Sequence, residues 1–378
     1  MRIVIAPDSF KGTLRAVEVC RIWRQAFAET CPAAELVCLP MSDGGEGSLQ
    51  SVEFSTHAKL MSCEVADPLS RPVKASFALF DNGHSAFVET AAACGIELLK
   101  PEEKNPMKTT SYGAGQLIGK ALKAGARTIT VAIGGSATVD GGMGLLQALG
   151  FRLLDSQGNP IPRGGAAMAE LAAIDASQAN PLLREATITI ASDVTNPLLG
   201  PQGAATVFGP QKGATPEMVQ ELENGLAHFA EVAISSGFTT DCTHPGDGAA
   251  GGLGFALRTF LNAKTESGAT IIAHLVHLEE HLEGADYLIT GEGKTDEQTL
   301  FGKLPAVVAE LAAKHGVPAI LCSGAVEDAE KLRSRFAAVF STLQSVQPLE
   351  QVLACAEQNL HATACSIASL LSSKGGKK

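Results

Sequence analysis

The chain has 378 residues, with Lys+Arg 29 against Asp+Glu 40 for a formal net charge of -11, and only 18% of it is charged. An acidic balance without a basic stripe repels polyphosphate backbones, so no nucleic-acid partner is expected. No run approaches the roughly 18 uninterrupted apolar residues of a membrane span, and the expectation is a cytoplasmic protein with no membrane partner.

Residues 2–6 are a short apolar run closed by Pro7-Asp8. Residues 14–30 then carry Ala16, Val19, Cys20, Trp23 and Phe27 at helical spacing, with Thr13 as the expected N-cap. A second strand at 35–39 runs straight into Met41-Ser42-Asp43-Gly44-Gly45-Glu46-Gly47. This opening predicts a parallel sheet with a right-handed crossover, in which ligands bind at the loops after the strands. Three strand-like runs follow at 59–66, 73–80 and 85–90, broken by Asp67-Pro68 and Asp81-Asn82-Gly83, which is hairpin chemistry. Beyond them the pattern predicts a helix near 113–123, a strand near 128–133, a helix after Gly141, a strand at 187–191 and a helix at 216–235. The carboxyl end repeats the opening: strands at 287–290, 318–322 and 337–340, a helix at 305–315 and a closing helix at 349–371.

A chain over roughly 300 residues usually divides, and this one reads as an α/β protein of two domains. A Rossmann-like parallel-sheet domain is expected from residues 1–66 plus 269–378, with both chain ends in one sheet. A second α/β domain is inserted at 67–268, and the active site is expected in the interdomain cleft. Nine cysteines without a C-x-x-C pair read as reduced thiols and not as a disulfide framework or zinc knuckle.

Several generic signatures fail. Gly293-Lys294-Thr295 ends like a Walker A motif, but Leu288 stands where its first glycine is required. Gly246-Asp247-Gly248-Ala249-Ala250-Gly251 matches G-x-G-x-x-G without a preceding hydrophobic strand. His274, His277 and His281 fall on one face of an expected helix, yet in no H-E-x-x-H order and among glutamates of a solvated face. No G-x-S-x-G elbow is present.

The glycine content, 39 residues against the usual share of about 7%, is concentrated in loops that also hold carboxylates, hydroxyls or lysines. Residues 6–13, 41–47, 133–144, 192–213, 245–254 and 289–305 hold 21 of the 39. Glycines let backbone N–H groups close on an anion, lysines neutralise it, and carboxylates hold Mg²⁺ or take a proton. That set is what phosphoryl transfer needs.

Taken in order, the segments Ala-Pro-Asp-Ser-Phe-Lys-Gly (6–12), Ser-Asp-Gly-Gly-Glu-Gly (42–47), Gly-Gly-Ser-Ala-Thr-Val-Asp-Gly-Gly (134–142), Asp-Val-Thr-Asn-Pro-Leu (193–198), Phe-Gly-Pro-Gln-Lys-Gly-Ala (208–214), Gly-Ala-Ala-Gly-Gly-Leu-Gly (248–254) and Thr-Gly-Glu-Gly-Lys-Thr-Asp (290–296) resemble the type I glycerate kinases. The resemblance implies phosphorylation of D-glycerate by ATP with Mg²⁺, 2-phosphoglycerate being the favoured product, by a monomer or homodimer. Catalytic duty is expected at Asp193, Asp296, Lys11 and Lys294, and substrate binding at Arg71, Ser9 and Asp8. Phosphate binding is expected at Gly134, Gly135, Ser136, Thr138 and Lys212, and metal binding at Asp43 and Glu46. The division of base and metal duty among the carboxylates stays open. So do a kinase for another small hydroxy acid, a glycerate 3-kinase and a non-catalytic sensor. Ser70 and Asp247 depart from the family pattern, which has glycine and a small residue there. A carboxylate at 247 would oppose a phosphate unless it held Mg²⁺, so that loop is not expected to touch the triphosphate.

Overall fold

The computed structural model describes residues 1–45, 47–56 and 58–374. In chain order the strands are β1 (Arg2–Ile5), β2 (Glu35–Cys38), β3 (Lys59–Ala66), β4 (Pro72–Phe80), β5 (Ser85–Glu89), β6 (Thr128–Ala132), β7 (Arg152–Leu154), β8 (Ala173–Asp175), β9 (Thr187–Ala191), β10 (Lys264–Glu266), β11 (Tyr287–Thr290), β12 (Lys294–Thr295), β13 (Ala319–Ser323), β14 (Ala325–Val326) and β15 (Ala338–Ser341). They fall into two compact units. One holds the described residues of Met1–Asp43, Gln50–His57 and Ala269–Lys378, the other Gly44–Leu49 and Ala58–Gly268. A division after residue 66 would separate β3 from β4, to which it pairs along its whole length from Lys59↔Leu79 to Ala66↔Pro72. The second unit therefore begins before β3.

The first unit is built on a five-stranded parallel sheet of order β15-β13-β11-β1-β2, which joins both chain ends. Numbered within the unit, this is the doubly wound order 2-1-3-4-5, and its winding reverses between β1 and β11. Strands covered on both faces read as continuous apolar runs, and Ile3, Val4, Ile5, Leu288 and Ile289 are all at most 1% exposed. The helix Ala16–Thr30 buries Val19, Ile22, Trp23, Ala26 and Phe27, and the helix Ala356–Lys374 buries Leu360, Ala364, Ile367 and Leu371 in the same core. Each large side chain so buried contributes about 1.5–3 kcal/mol.

Two details differ from the sequence pattern. The first helix starts at Ala16, because Glu18 reaches back to the Arg15 N–H at 2.9 Å, while the Thr13 hydroxyl donates to the Phe10 carbonyl. The closing segment is two helices, Leu349–Ala354 and Ala356–Lys374, separated at Cys355.

The second unit carries a six-stranded mixed sheet of order β10-β9-β6-β5-β4-β3. β3, β4 and β5 form the expected antiparallel meander, and β5, β6, β9 and β10 run parallel. Its core includes Phe87, Leu117, Ile118, Val131, Leu226, Phe229 and Phe255. In the first unit, the histidines at 274, 277 and 281 do not share one helix. His277 has a φ of 54° and separates the helix Gly268–Leu275 from Leu278–Leu282. Among the described residues, no helix is long and apolar enough to cross a membrane.

Asp247 is 1% exposed, and Arg258 grips both of its oxygens at 2.7 Å. The carboxylate is thus neutralised by a fork–fork pair and steadies the turn into the helix Ala249–Leu261. Removing one partner of a buried pair strands the other charge. Arg258→Ala should therefore lower unfolding stability by about 3–5 kcal/mol in urea titration, and the double change with Asp247→Ser should recover most of it.

Candidate active site

In the first unit, the loops after β1 and β11 are tied together at the point where the winding reverses. The Ala6 N–H donates to the Ile289 carbonyl at 2.8 Å, and the Asp8 N–H to the Gly291 carbonyl at 2.9 Å. A Cβ at Gly291 would overlap the Cys322 carbonyl, so only glycine lets the β11 loop lie this close to β13. Asp8 is consequently 6% exposed, and its carboxyl accepts the Ser9 N–H at 2.6 Å. Burial and then the charge of Asp43 push its pKa up to about 7.

Asp43, in the loop after β2, accepts from the exposed Lys11 ammonium at 3.2 Å and raises the lysine's pKa. Glu292 completes the group. Its Oε1 accepts from Thr295 at 3.1 Å and Thr299 at 2.8 Å, its own N–H donates to the Ser323 hydroxyl at 3.2 Å, and burial raises its carboxyl. Asp8, Ser9, Lys11 and Asp43 are thus brought together as expected residues. Glu292 was missed, although the run Gly291-Glu292-Gly293 placed a carboxylate between glycines directly after a strand.

In the second unit the register sets Glu89 beside Ala132 and Ala132 beside Ala191, so the loops after β5, β6 and β9 emerge along one edge. Asp193 lies there, exposed, two residues beyond β9. The β6 loop begins with Gly134, where a Cβ would stand 2.9 Å from the Gly45 Cα, and with Gly135 at a φ of 71°. Its inner side is held by the buried Lys212, which donates to the Ser136 hydroxyl at 2.9 Å and the Thr138 carbonyl at 2.8 Å. Burial pulls that ammonium down to about 8. The loop's far end is pinned by Asp140, which accepts from the Ser111 N–H and hydroxyl and from the N–H groups of Gly142 and Gly144. Thr138 Oγ1 is fully buried with no hydrogen-bond partner among the described residues.

Other expected residues are placed differently. Arg71 is already engaged, its Nε with Asp67 and its Nη1 with Glu103, both at 2.6 Å. It follows Ser70, whose φ of 64° is the backbone that favours the glycine of the family pattern. Lys294 is exposed on β12 and pairs with Glu327 at 2.9 Å. Asp296, half-buried, faces Lys303 at 3.8 Å. Glu46, expected at the metal, lies outside the described residues.

The model of the glycerate kinase family matches residues 3–372. The chain is 44% identical to a glycerate kinase of Haemophilus influenzae, over 99% of this chain and 100% of the relative. It is 43% identical to the glycerate 2-kinase of Escherichia coli K12, over 98% of each. A Salmonella typhimurium LT2 crystal structure, provisionally assigned as glycerate kinase 2, superposes with a TM-score of 0.88 at 43% identity and covers 100% of both chains. With the whole chain matched in sequence and in fold, the protein belongs to the glycerate kinase family, transferases that phosphorylate an alcohol group.

Proposed function

We propose that this chain transfers the γ-phosphoryl group of ATP, with Mg²⁺, to D-glycerate, and that the 2-hydroxyl is the acceptor. The observation that carries the reading is the group of Asp8, Asp43 and Glu292 with Lys11 at the reversal point of the first sheet. Three clustered carboxylates, one of them with its pKa raised to about 7, are a hard-oxygen donor set, and that chemistry fits Mg²⁺. The ion would neutralise charge on the phosphate oxygens. Asp8, Asp43 and Glu292 are the residues proposed to hold it.

The Gly134–Thr138 loop is proposed to receive the phosphates through its backbone N–H groups, its shape kept by Lys212 and Asp140. Asp193 is proposed as the base. It takes the proton of the glycerate hydroxyl while that oxygen bonds to the γ-phosphorus and the bond to ADP breaks. Lys11 offsets charge on the transferring group. Arg71 and Lys294 are left out of these roles because their partners, Asp67, Glu103 and Glu327, lie outside the proposed metal set, whereas the Lys11 partner, Asp43, belongs to it.

Glycerate with Mg-ATP should yield ADP and a single phosphoglycerate, and phosphorus NMR of the product distinguishes the 2- from the 3-ester. Failure to release ADP with glycerate, while another hydroxy acid turns over, would refute the substrate. Asp193→Asn should lower kcat about 10²–10⁴-fold at unchanged Mg²⁺ requirement, whereas Asp43→Asn should raise the Mg²⁺ needed for half-activity.

The buried Asp8 also predicts a pH dependence of stability. Its pKa in the fold, about 7, lies above the 3.8 of an ordinary aspartate. The native state therefore holds a proton that the unfolded chain has lost, and stability falls as pH rises between those values. Asp8→Asn removes this cost. It should raise Tm by an amount that grows from about pH 4 to pH 7 and then levels, while turnover drops; an equal Tm gain at all pH values would count against it.

A further inference from the structure

The first unit holds a second group of ligand-type side chains, carried by two helices. Glu29, near the end of Ala16–Thr30, meets His361 and Cys365 on Ala356–Lys374. His361 and Cys365 are four residues apart and share one face of their helix. Their ligand atoms and the Glu29 carboxylate all lie within 4.8 Å of one another.

The individual distances suit a metal. His361 Nε2 stands 3.2 Å from Glu29 Oε2, and Cys365 Sγ stands 3.8 Å from His361 Nδ1 and 4.0 Å from Nε2. Bonds of about 2.0–2.2 Å to nitrogen and oxygen and about 2.3 Å to sulfur give tetrahedral edges of roughly 3.3–3.8 Å. Small side-chain turns close the difference.

The surroundings favour the same arrangement. Gln25 donates to Glu29 Oε1 at 3.0 Å, which fixes the carboxylate with its other oxygen toward His361. Such an outer hydrogen bond is what orients metal ligands. One turn before His361, Arg21 and Glu357 pair at 2.6 Å and hold the two helices in register. Cys365 packs against the core while Glu29 is exposed, so the group is anchored at one end and open to solvent at the other.

We infer that Glu29, His361 and Cys365 form a site for a borderline divalent metal, zinc by its Cys/His/carboxylate donor set, that ties the closing helix to the first helix. Three protein ligands leave a fourth position for water. The site draws on none of the residues given roles in phosphoryl transfer.

Cobalt(II) is the probe, added to the full chain after chelation. The expected result is one equivalent of bound cobalt with a thiolate-to-cobalt charge-transfer band, displaced by Zn²⁺. Cys365→Ser should abolish the band, His361→Ala should weaken binding by 10-fold or more, and Gln25→Ala should weaken it about 10–100-fold. Zn²⁺ should raise the Tm of the parent chain and not that of Cys365→Ser, and that variant should keep parent kinase activity. Absence of the band, or its survival in Cys365→Ser, overturns the site. The other cysteines are unchanged in that variant, so a band from them would be recognised.

Discussion

The unit built from both chain ends depends on how closely its strand-end loops approach. Because Gly291 presents no side chain, the β11 loop lies on the Cys322 carbonyl, and the β1 loop bonds to it through Asp8. That contact buries Asp8 beside Asp43, at a cost in charged-group solvation that hydrogen bonding does not remove. A fold selected for stability alone would not keep a carboxyl there. Its place at the reversal point of a doubly wound sheet, where ligands bind, fits the metal role proposed for it.

The two units treat charge in opposite ways. The first gathers carboxylates at the carboxyl ends of its strands with one exposed lysine beside them. The second buries a lysine, Lys212, beneath a glycine loop whose outer surface is backbone. In the first arrangement three carboxylates share one lysine, an excess of negative charge that suits the cation proposed there. The second has its cation built in, beneath the loop proposed to meet the phosphates.

Much of this was legible in the sequence. β1, β11 and β9 are bounded by Pro, Gly and Asp signals, and the helix expected at 216–235 is the observed Pro216–Ser235. What the pattern could not show were choices made by tertiary neighbours. Thr13 looks like a cap, but its hydroxyl is spent on Phe10, and Glu18 does the capping. Arg71 looks like an anion clamp, but Asp67 and Glu103, 4 and 32 residues away, close around it. Glu292 is an ordinary glutamate in a turn until Thr295, Thr299 and Ser323 fold about it. In each case the missing fact is a partner, and partners set by folding leave no local period.

The acidic balance of the chain needs to be reconciled with anionic substrates in the proposed reaction. A net charge of -11 repels a polyanion at long range, and salt screens that field beyond about 8 Å. Inside that distance, local donors decide. Lys11 and the N–H groups of the Gly134 loop are the donors proposed for that role, and they act at short range. The acid excess therefore argues against a long phosphate backbone, which must be met along its whole length. It does not argue against one small phosphate ester, which meets only the loops that the glycines have opened.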